Sequence, residues 1–194
     1  MYVSDKIVLN NGFLTFPNIP KNTIIIITRH STWLPAAHHH ELTFPLLPVT
    51  MTIQTRITEL LNIEHPIVMG GMTGVGTVEL AAAVSNAGGL GMFAAHNACS
   101  PEGCRQWIRQ MKRLVNDKPF GVNLTILPTM GTPPPYHEYA QVIIDEGVKV
   151  VETAGSNPKV FIQAFKKAGI ITIHKCVTIR HALSAQRMGV DIIS

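Results

Sequence analysis

From Arg56 to Ser194 the chain repeats one pattern: a helix-forming stretch, a stop, a short run of consecutive apolar residues, a polar loop. A short helix over Ile57 to Leu61 leads into Pro66-Ile-Val-Met-Gly-Gly71. Thr77 then caps a helix carrying Leu80, Ala81 and Val84 on one face and stopped by Gly88. Leu90 to Ala95 is the second apolar run. Ser100-Pro101-Glu102 is a helix start, with a capping hydroxyl, proline at the first helical position and an acid against the dipole. The helix it opens places Cys104, Trp107, Ile108, Met111 and Leu114 along one stripe. Phe120 to Thr125, Val148 to Thr153, Ile170 to His174 and Val190 to Ile193 follow as strands. Helices over Tyr136 to Glu146, from Asn157-Pro158 and from Thr178 separate them. Val160, Phe161, Ala164, Phe165 and Ala168 are expected inward on the second of these, and Ile179, Ala182 and Leu183 on the third.

Strands that are apolar throughout, alternating with amphipathic helices, build a parallel sheet covered on both faces. Two architectures satisfy that rule, a doubly wound open sheet and a (β/α)8 barrel. Gly70-Gly71-Met72-Thr73-Gly74-Val75-Gly76 lacks the G-x-G-x-x-G spacing that opens a dinucleotide-binding sheet, which disfavours the first. The fold class expected is therefore α/β of the TIM-barrel type. A barrel takes eight strands and about 250 residues, so the pattern supplies an incomplete one, about strands 1–6.

Residues 1–50 show no such pattern. They carry scattered prolines and short apolar islands such as Ile24 to Ile27, and they lack the regions of a signal peptide. They read as an N-terminal extension, poorly ordered or adventitious, with Met51 as a natural start. With 46% hydrophobic and 14% charged residues the chain is not a disordered polyampholyte. No apolar run approaches the roughly 18 residues a membrane span needs. The net charge of +4 is spread thinly: Lys112-Arg113 and Lys166-Lys167 fall on solvated helix faces with no interleaved aromatics, which argues against nucleic acid as partner.

Cys99, Cys104 and Cys176 are an odd set without a C-x-x-C pair, and read as reduced, buried or semi-buried thiols of a cytoplasmic protein. No metal site is expected. His38-His39-His40 stands in a featureless segment, and the Asn123-Leu-Thr sequon lies inside a buried strand.

In a barrel, ligands sit where the strands end. Those ends are Met69-Gly70-Gly71-Met72, Asn123-Leu124-Thr125, Glu152-Thr153-Ala154-Gly155 and His174-Lys175-Cys176. They offer glycines that admit a flat ring, a soft methionine, amide and hydroxyl groups, one acid and one cation. Such a mouth suits a planar, partly anionic cofactor. Lys175 is the candidate to stabilise a reduced flavin anion, unless it simply pairs with Glu152. His174 alternates away from Lys175, so it is expected to pack outward instead of acting as a base. His65, His137 and His181 read as structural.

Ile63-Glu-His-Pro-Ile-Val-Met-Gly-Gly-Met72, Glu79 to Leu90, Phe120-Gly-Val-Asn-Leu-Thr125, Val150-Val-Glu-Thr-Ala-Gly155 and Ile173-His-Lys-Cys176 together resemble the nitronate monooxygenase family, formerly 2-nitropropane dioxygenase. The resemblance runs in order from about Met51 to Ser194. It implies an FMN-dependent barrel over 51–194 that oxidises alkyl nitronates, such as propionate 3-nitronate, with dioxygen to a carbonyl compound and nitrite. Gly71, Met72 and Thr73 would line the flavin, Thr125 and Lys175 would contact it, and Asn123 would neighbour it. Thr73 stands where the family commonly has Gln. In the family a Gly-His loop after strand six supplies the catalytic histidine. That position is expected beyond Ser194, so no catalytic residue is assigned within this chain, which is expected to bind FMN weakly and turn over negligibly. The alternatives are a flavin-dependent reductase of the enoyl-acyl-carrier-protein type and a non-catalytic barrel remnant. The expected partners are a small nitronate and dioxygen, with homo-oligomerisation left open.

Overall fold

The computed structural model describes residues 6–9, 12–15, 53–128 and 132–194. The chain divides into two units, Met1–Thr52 and Ile53–Ser194. In the first, β1 (Lys6–Leu9) and β2 (Gly12–Thr15) pair antiparallel, with Lys6 opposite Thr15. Ile24 to Ile27 and His38-His39-His40 lie outside the described residues, as does most of the stretch read as an extension.

The second unit runs α1 (Arg56–Leu61), α2 (Val78–Asn86), β3 (Gly91–Ala94), a single 3-10 turn (Ala95–Ala98), α3 (Pro101–Val115), β4 (Phe120–Ile126), α4 (Tyr136–Asp145), β5 (Val150–Gly155), α5 (Lys159–Lys167), β6 (Ile171–His174), α6 (Ile179–Arg187) and β7 (Ile192–Ile193). The caps read from the sequence are made. Thr77 Oγ1 accepts from Leu80 N–H, Ser100 Oγ from Gly103 N–H and Thr178 Oγ1 from His181 N–H. Gly88 ends its helix at φ 91°, a conformation other residues rarely take.

All five strands are parallel and pair in chain order, β3-β4-β5-β6-β7. A doubly wound sheet reverses its order at a switch point, whereas a barrel never does. The fold is thus α/β with part of a TIM barrel. The expected first strand, 66–71, is reduced to a single parallel bridge between Val68 and Leu90. Pro66 has no N–H to donate and the Gly70-Gly71 pair has no side chains to pack, so only the middle of the run joins the ladder.

Strand alternation divides the core. On one face Phe93, Val122, Leu124, Ile126 and Val151 pack under α2, α3, α4 and α5, with Phe93 edge-on to Trp107 at 5.6 Å between centroids. On the other, inner face Leu90, Met92, Val150 and Ile173 meet Leu61 and Ile63, so α1 and the residues after it close the N-terminal end of the strands.

The helix stripes are largely those expected, with Ala81, Cys104, Ile108, Met111, Phe161 and Phe165 buried, but their margins differ. Leu80 and Leu114 are exposed while Val78, Ala82 and Val115 are buried. At those margins smaller or β-branched side chains one or two positions away face the sheet instead of leucine. On α5, Val160 and Ala168 are exposed and Ile162 is buried. On α6, Ile179 and Leu183 are exposed and Ala185 alone is buried, because that helix covers only the two-residue strand β7.

Candidate functional site

The inner face changes chemistry along each strand. Asn123 on β4 is two residues beyond Gly121, and Glu152 on β5 is two beyond Val150. Lys175 follows β6, two beyond Ile173. Period-two alternation therefore puts Asn123, Thr125, Glu152 and Lys175 on one face at the C-terminal ends of adjacent strands. The register confirms the neighbours, with Asn123 opposite Glu152 and Thr153 opposite His174.

Glu152 ties this rim together. Its Oε2 accepts from Asn123 Nδ2 at 2.6 Å and from Gly71 N–H at 3.1 Å, and lies 3.3 Å from Lys175 Nζ. Thr125 Oγ1 donates to Asn123 Oδ1 at 2.8 Å. The Glu152 side chain is 3% exposed and that of Lys175 41%, so the pair joins a buried anion to a cation at the solvent edge. The ion pair weighed from the sequence is present. Burying a carboxylate costs several kcal/mol, and charge-assisted hydrogen bonds at about 1.5–3 kcal/mol each offset that cost.

Gly71 has a steric reason to be glycine. A Cβ there would overlap Cβ and Cγ of Asn123, and a Cβ on Gly70 would lie 3.3 Å from Lys175 Nζ. Backbone without side chains thus packs directly on the polar set.

The loop that continues from Gly71 is clasped by a side chain the sequence reading did not select. Asn97, in the turn after β3, accepts from Gly74 N–H at 2.9 Å and donates through Nδ2 to the carbonyls of Met72 at 3.0 Å and Gly76 at 3.1 Å. Met72 and Thr73 are exposed on that loop. The structure therefore joins Gly71, Asn123, Thr125 and Lys175 in one bonded network, while Met72 and Thr73 adjoin it through the chain. Nothing in the sequence near Asn97 signals its role, because its partners lie over twenty residues upstream.

His174 lies on the helix-facing side, buried, with Nδ1 2.9 Å from Thr153 Oγ1 and 3.1 Å from Thr153 O. Burial pulls its pKa below the ordinary histidine value. It is separated from Lys175 by the plane of the sheet. His137 and His181 are exposed on α4 and α6.

The thiols are less uniform than expected. Cys104 is buried and burial pushes it up to about 12, Cys176 is half-buried and also raised by burial, but Cys99 is exposed because it follows the turn at φ 63°. Among the described residues no three His, Cys, Asp or Glu side chains gather as metal ligands, and no helix is long and apolar enough to cross a membrane.

The chain is similar to several known proteins. Structures with the same fold include FabK from Thermotoga maritima, at TM-score 0.66 and 39% identity over 73% of this chain and 43% of that one. A nitroalkane oxidase from Streptomyces ansochromogenes matches at TM-score 0.62 and 26% identity, over 72% of this chain and 47% of that one. Among curated relatives, a nitronate monooxygenase of Pseudomonas aeruginosa is 52% identical over 69 residues, 36% of this chain and 19% of its own. A (3aS,4S,5R,7aS)-5-hydroxy-7a-methyl-1-oxo-octahydro-1H-indene-4-carboxyl-CoA dehydrogenase of Mycobacterium tuberculosis is 34% identical over 141 residues, 73% of this chain and 38% of its own. The chain thus spans well under two thirds of that relative. Residues 54–193, which hold every strand of the parallel sheet and the whole Glu152 network, match the nitronate monooxygenase family: the chain belongs to the nitronate monooxygenases, a family of oxidoreductases.

Proposed function

We propose that this chain carries the flavin-binding rim of an enzyme that oxidises alkyl nitronates, such as propionate 3-nitronate, with dioxygen to a carbonyl compound and nitrite. The observation that carries the reading is the convergence of Gly71, Asn123 and Lys175 on one buried carboxylate at the C-terminal ends of neighbouring strands, with Thr125 bonded to Asn123. The residues fit FMN by donor set. Gly70 and Gly71 bring bare backbone up against Lys175 and Asn123, Met72 offers an exposed thioether, and Lys175 offers a half-exposed cation. FMN, when bound, supplies the two-electron redox chemistry.

The chain's own groups bind and orient. Gly71 and Thr73 supply backbone against the ring, Asn123 and Thr125 hold each other's polar atoms in fixed directions, and Lys175 compensates negative charge. No side chain described here is assigned to proton transfer: His174 is on the far side of the sheet and already bonded to Thr153.

FMN titration of the 194-residue chain, followed by flavin fluorescence, tests the binding half of this reading. Weak saturable binding is expected, and no binding would refute it. Nitrite release from propionate 3-nitronate, measured on the protein as its host produces it, tests the reaction. A second reading, a flavin-dependent reductase of the enoyl-acyl-carrier-protein type, draws on the FabK structure at 39% identity. Flavin reduction driven by NAD(P)H, without nitrite release, would select it over the first.

A further inference from the structure

Glu152 gathers more than an ion-pair partner needs. Its three donors come from three separate segments: Gly71 from the loop after the Val68 bridge, Asn123 from β4, and Lys175 from the residue after β6. All three meet a single oxygen, Oε2, while Oε1 lies 3.6 Å from where a Cβ on Gly70 would stand. An exposed ion pair assembles no such set and is worth little. A buried carboxylate that cross-links three chain segments at the mouth of a sheet holds their relative positions, and its charge bears on any anion that approaches Lys175.

We propose that Glu152 is the positioning residue of this rim: it fixes Gly71, Asn123 and Lys175 to one another and sets how much of the Lys175 charge is offered to a planar, anionic ligand. The identity of that ligand rests on the flavin reading; the positioning does not. Glu152→Gln keeps the shape and one acceptor oxygen but removes the charge. The Gly71 and Asn123 bonds then survive, and Lys175 loses its counter-ion. Glu152→Ala removes both the acceptor and the charge.

Hydrogen exchange by NMR on the ligand-free 194-residue chain separates these roles. In Glu152→Gln the Gly71 amide and the Asn123 side-chain amide should exchange within about threefold of the wild-type rate. In Glu152→Ala both should exchange at least about tenfold faster, with the buried Val122 amide unchanged as the control for global stability. Titration with FMN should then show Glu152→Gln binding several-fold tighter than wild type, roughly the effect of removing one nearby like charge, and the gain should shrink at about 0.5 M salt. Glu152→Ala should bind more weakly than wild type. If Glu152→Ala does not fold, Glu152→Asp replaces it, since a carboxylate one methylene shorter keeps the charge and should still lose Gly71 protection. Unchanged Gly71 and Asn123 protection in the Ala or Asp variant overturns the proposal, as does loss of protection in the Gln variant equal to theirs. If the wild-type chain binds no FMN, the flavin reading falls, and the exchange pattern alone decides the role of Glu152.

Discussion

The inner face of the sheet is built from the same strands at both ends, yet the ends do different work. At the N-terminal end Leu61, Ile63, Leu90, Met92, Val150 and Ile173 form a small apolar cluster, each nearly or fully buried. Two residues along the same strands, the side chains become Asn123, Glu152 and Lys175, tied by hydrogen bonds and charge. The apolar end is non-directional, so it holds the strands together without dictating where any one atom sits. The polar end has the opposite character. It contributes little net stability after desolvation, but its donor and acceptor directions fix atoms to within tenths of an ångström. A barrel can therefore keep a stable floor while its mouth is specialised, and substitutions at the two ends should separate stability from ligand binding.

The largest expected effect is on the floor. Leu90 is fully buried, and Leu90→Ala should lower unfolding free energy by about 2–5 kcal/mol in denaturant titrations. FMN affinity per folded molecule should not change; a parallel loss of affinity would show that the two ends are one unit. At the rim, Gly71→Ala forces a methyl group into Asn123 and should cost about 1–3 kcal/mol by overpacking. Here affinity should fall far more than stability, which sharpens the contrast. Asn97→Ala comes next. Its three hydrogen bonds are partly exposed, so their loss should cost about 1–2 kcal/mol in total. Faster amide exchange at Gly74 and weaker flavin binding, without faster exchange at Phe93, would place the effect in the Met72 to Gly76 loop alone.

The floor and the rim were unequally legible in the sequence. Glycine stops, capping hydroxyls and unbroken apolar runs are local signals, so β4, β5, β6 and the starts of α2, α3 and α6 followed from short stretches of chain. The strand-end rule then placed Gly71, Asn123, Thr125 and Lys175 together before any contact was known. What failed depends on neighbours distant in sequence. The 66–71 run looks like a strand by composition, but its ladder is limited to one bridge beside Leu90. The exposure of Leu80 and Leu114, at the margins of stripes otherwise buried as expected, reflects which residues the sheet leaves room for. Asn97 was invisible because its three partners lie on a loop that only the fold brings near. Glu152 was visible as a strand-end acid, yet its bonds to Gly71 and Asn123 could be found only in three dimensions.

The smallest predicted effect is a pH dependence that belongs to the helix side, not to the rim. His174 is buried against Thr153, and burial is the main cause that lowers its pKa; the nearby His181 lowers it further, while the Thr153 carbonyl and Glu152 act in the other direction. His96, packed against Tyr136 and Tyr139 with a buried Nε2 that has no hydrogen-bond partner among the described residues, is lowered by burial in the same way. In the unfolded chain both imidazoles take up a proton as pH falls through their ordinary value of 6.5, whereas the folded chain keeps them neutral to lower pH. The unfolded state therefore binds more protons in that window. Stability is fully present above 6.5 and declines as pH falls toward the folded-state values, by less than about 1.4 kcal/mol per pH unit for each group. Thermal melts between pH 8 and 5 should show the decline, and His174→Asn should flatten part of it, leaving the share that belongs to His96. An unaltered slope in that variant would mean that His174 is already open to solvent in the folded chain, and the burial of the helix face at that point would not hold.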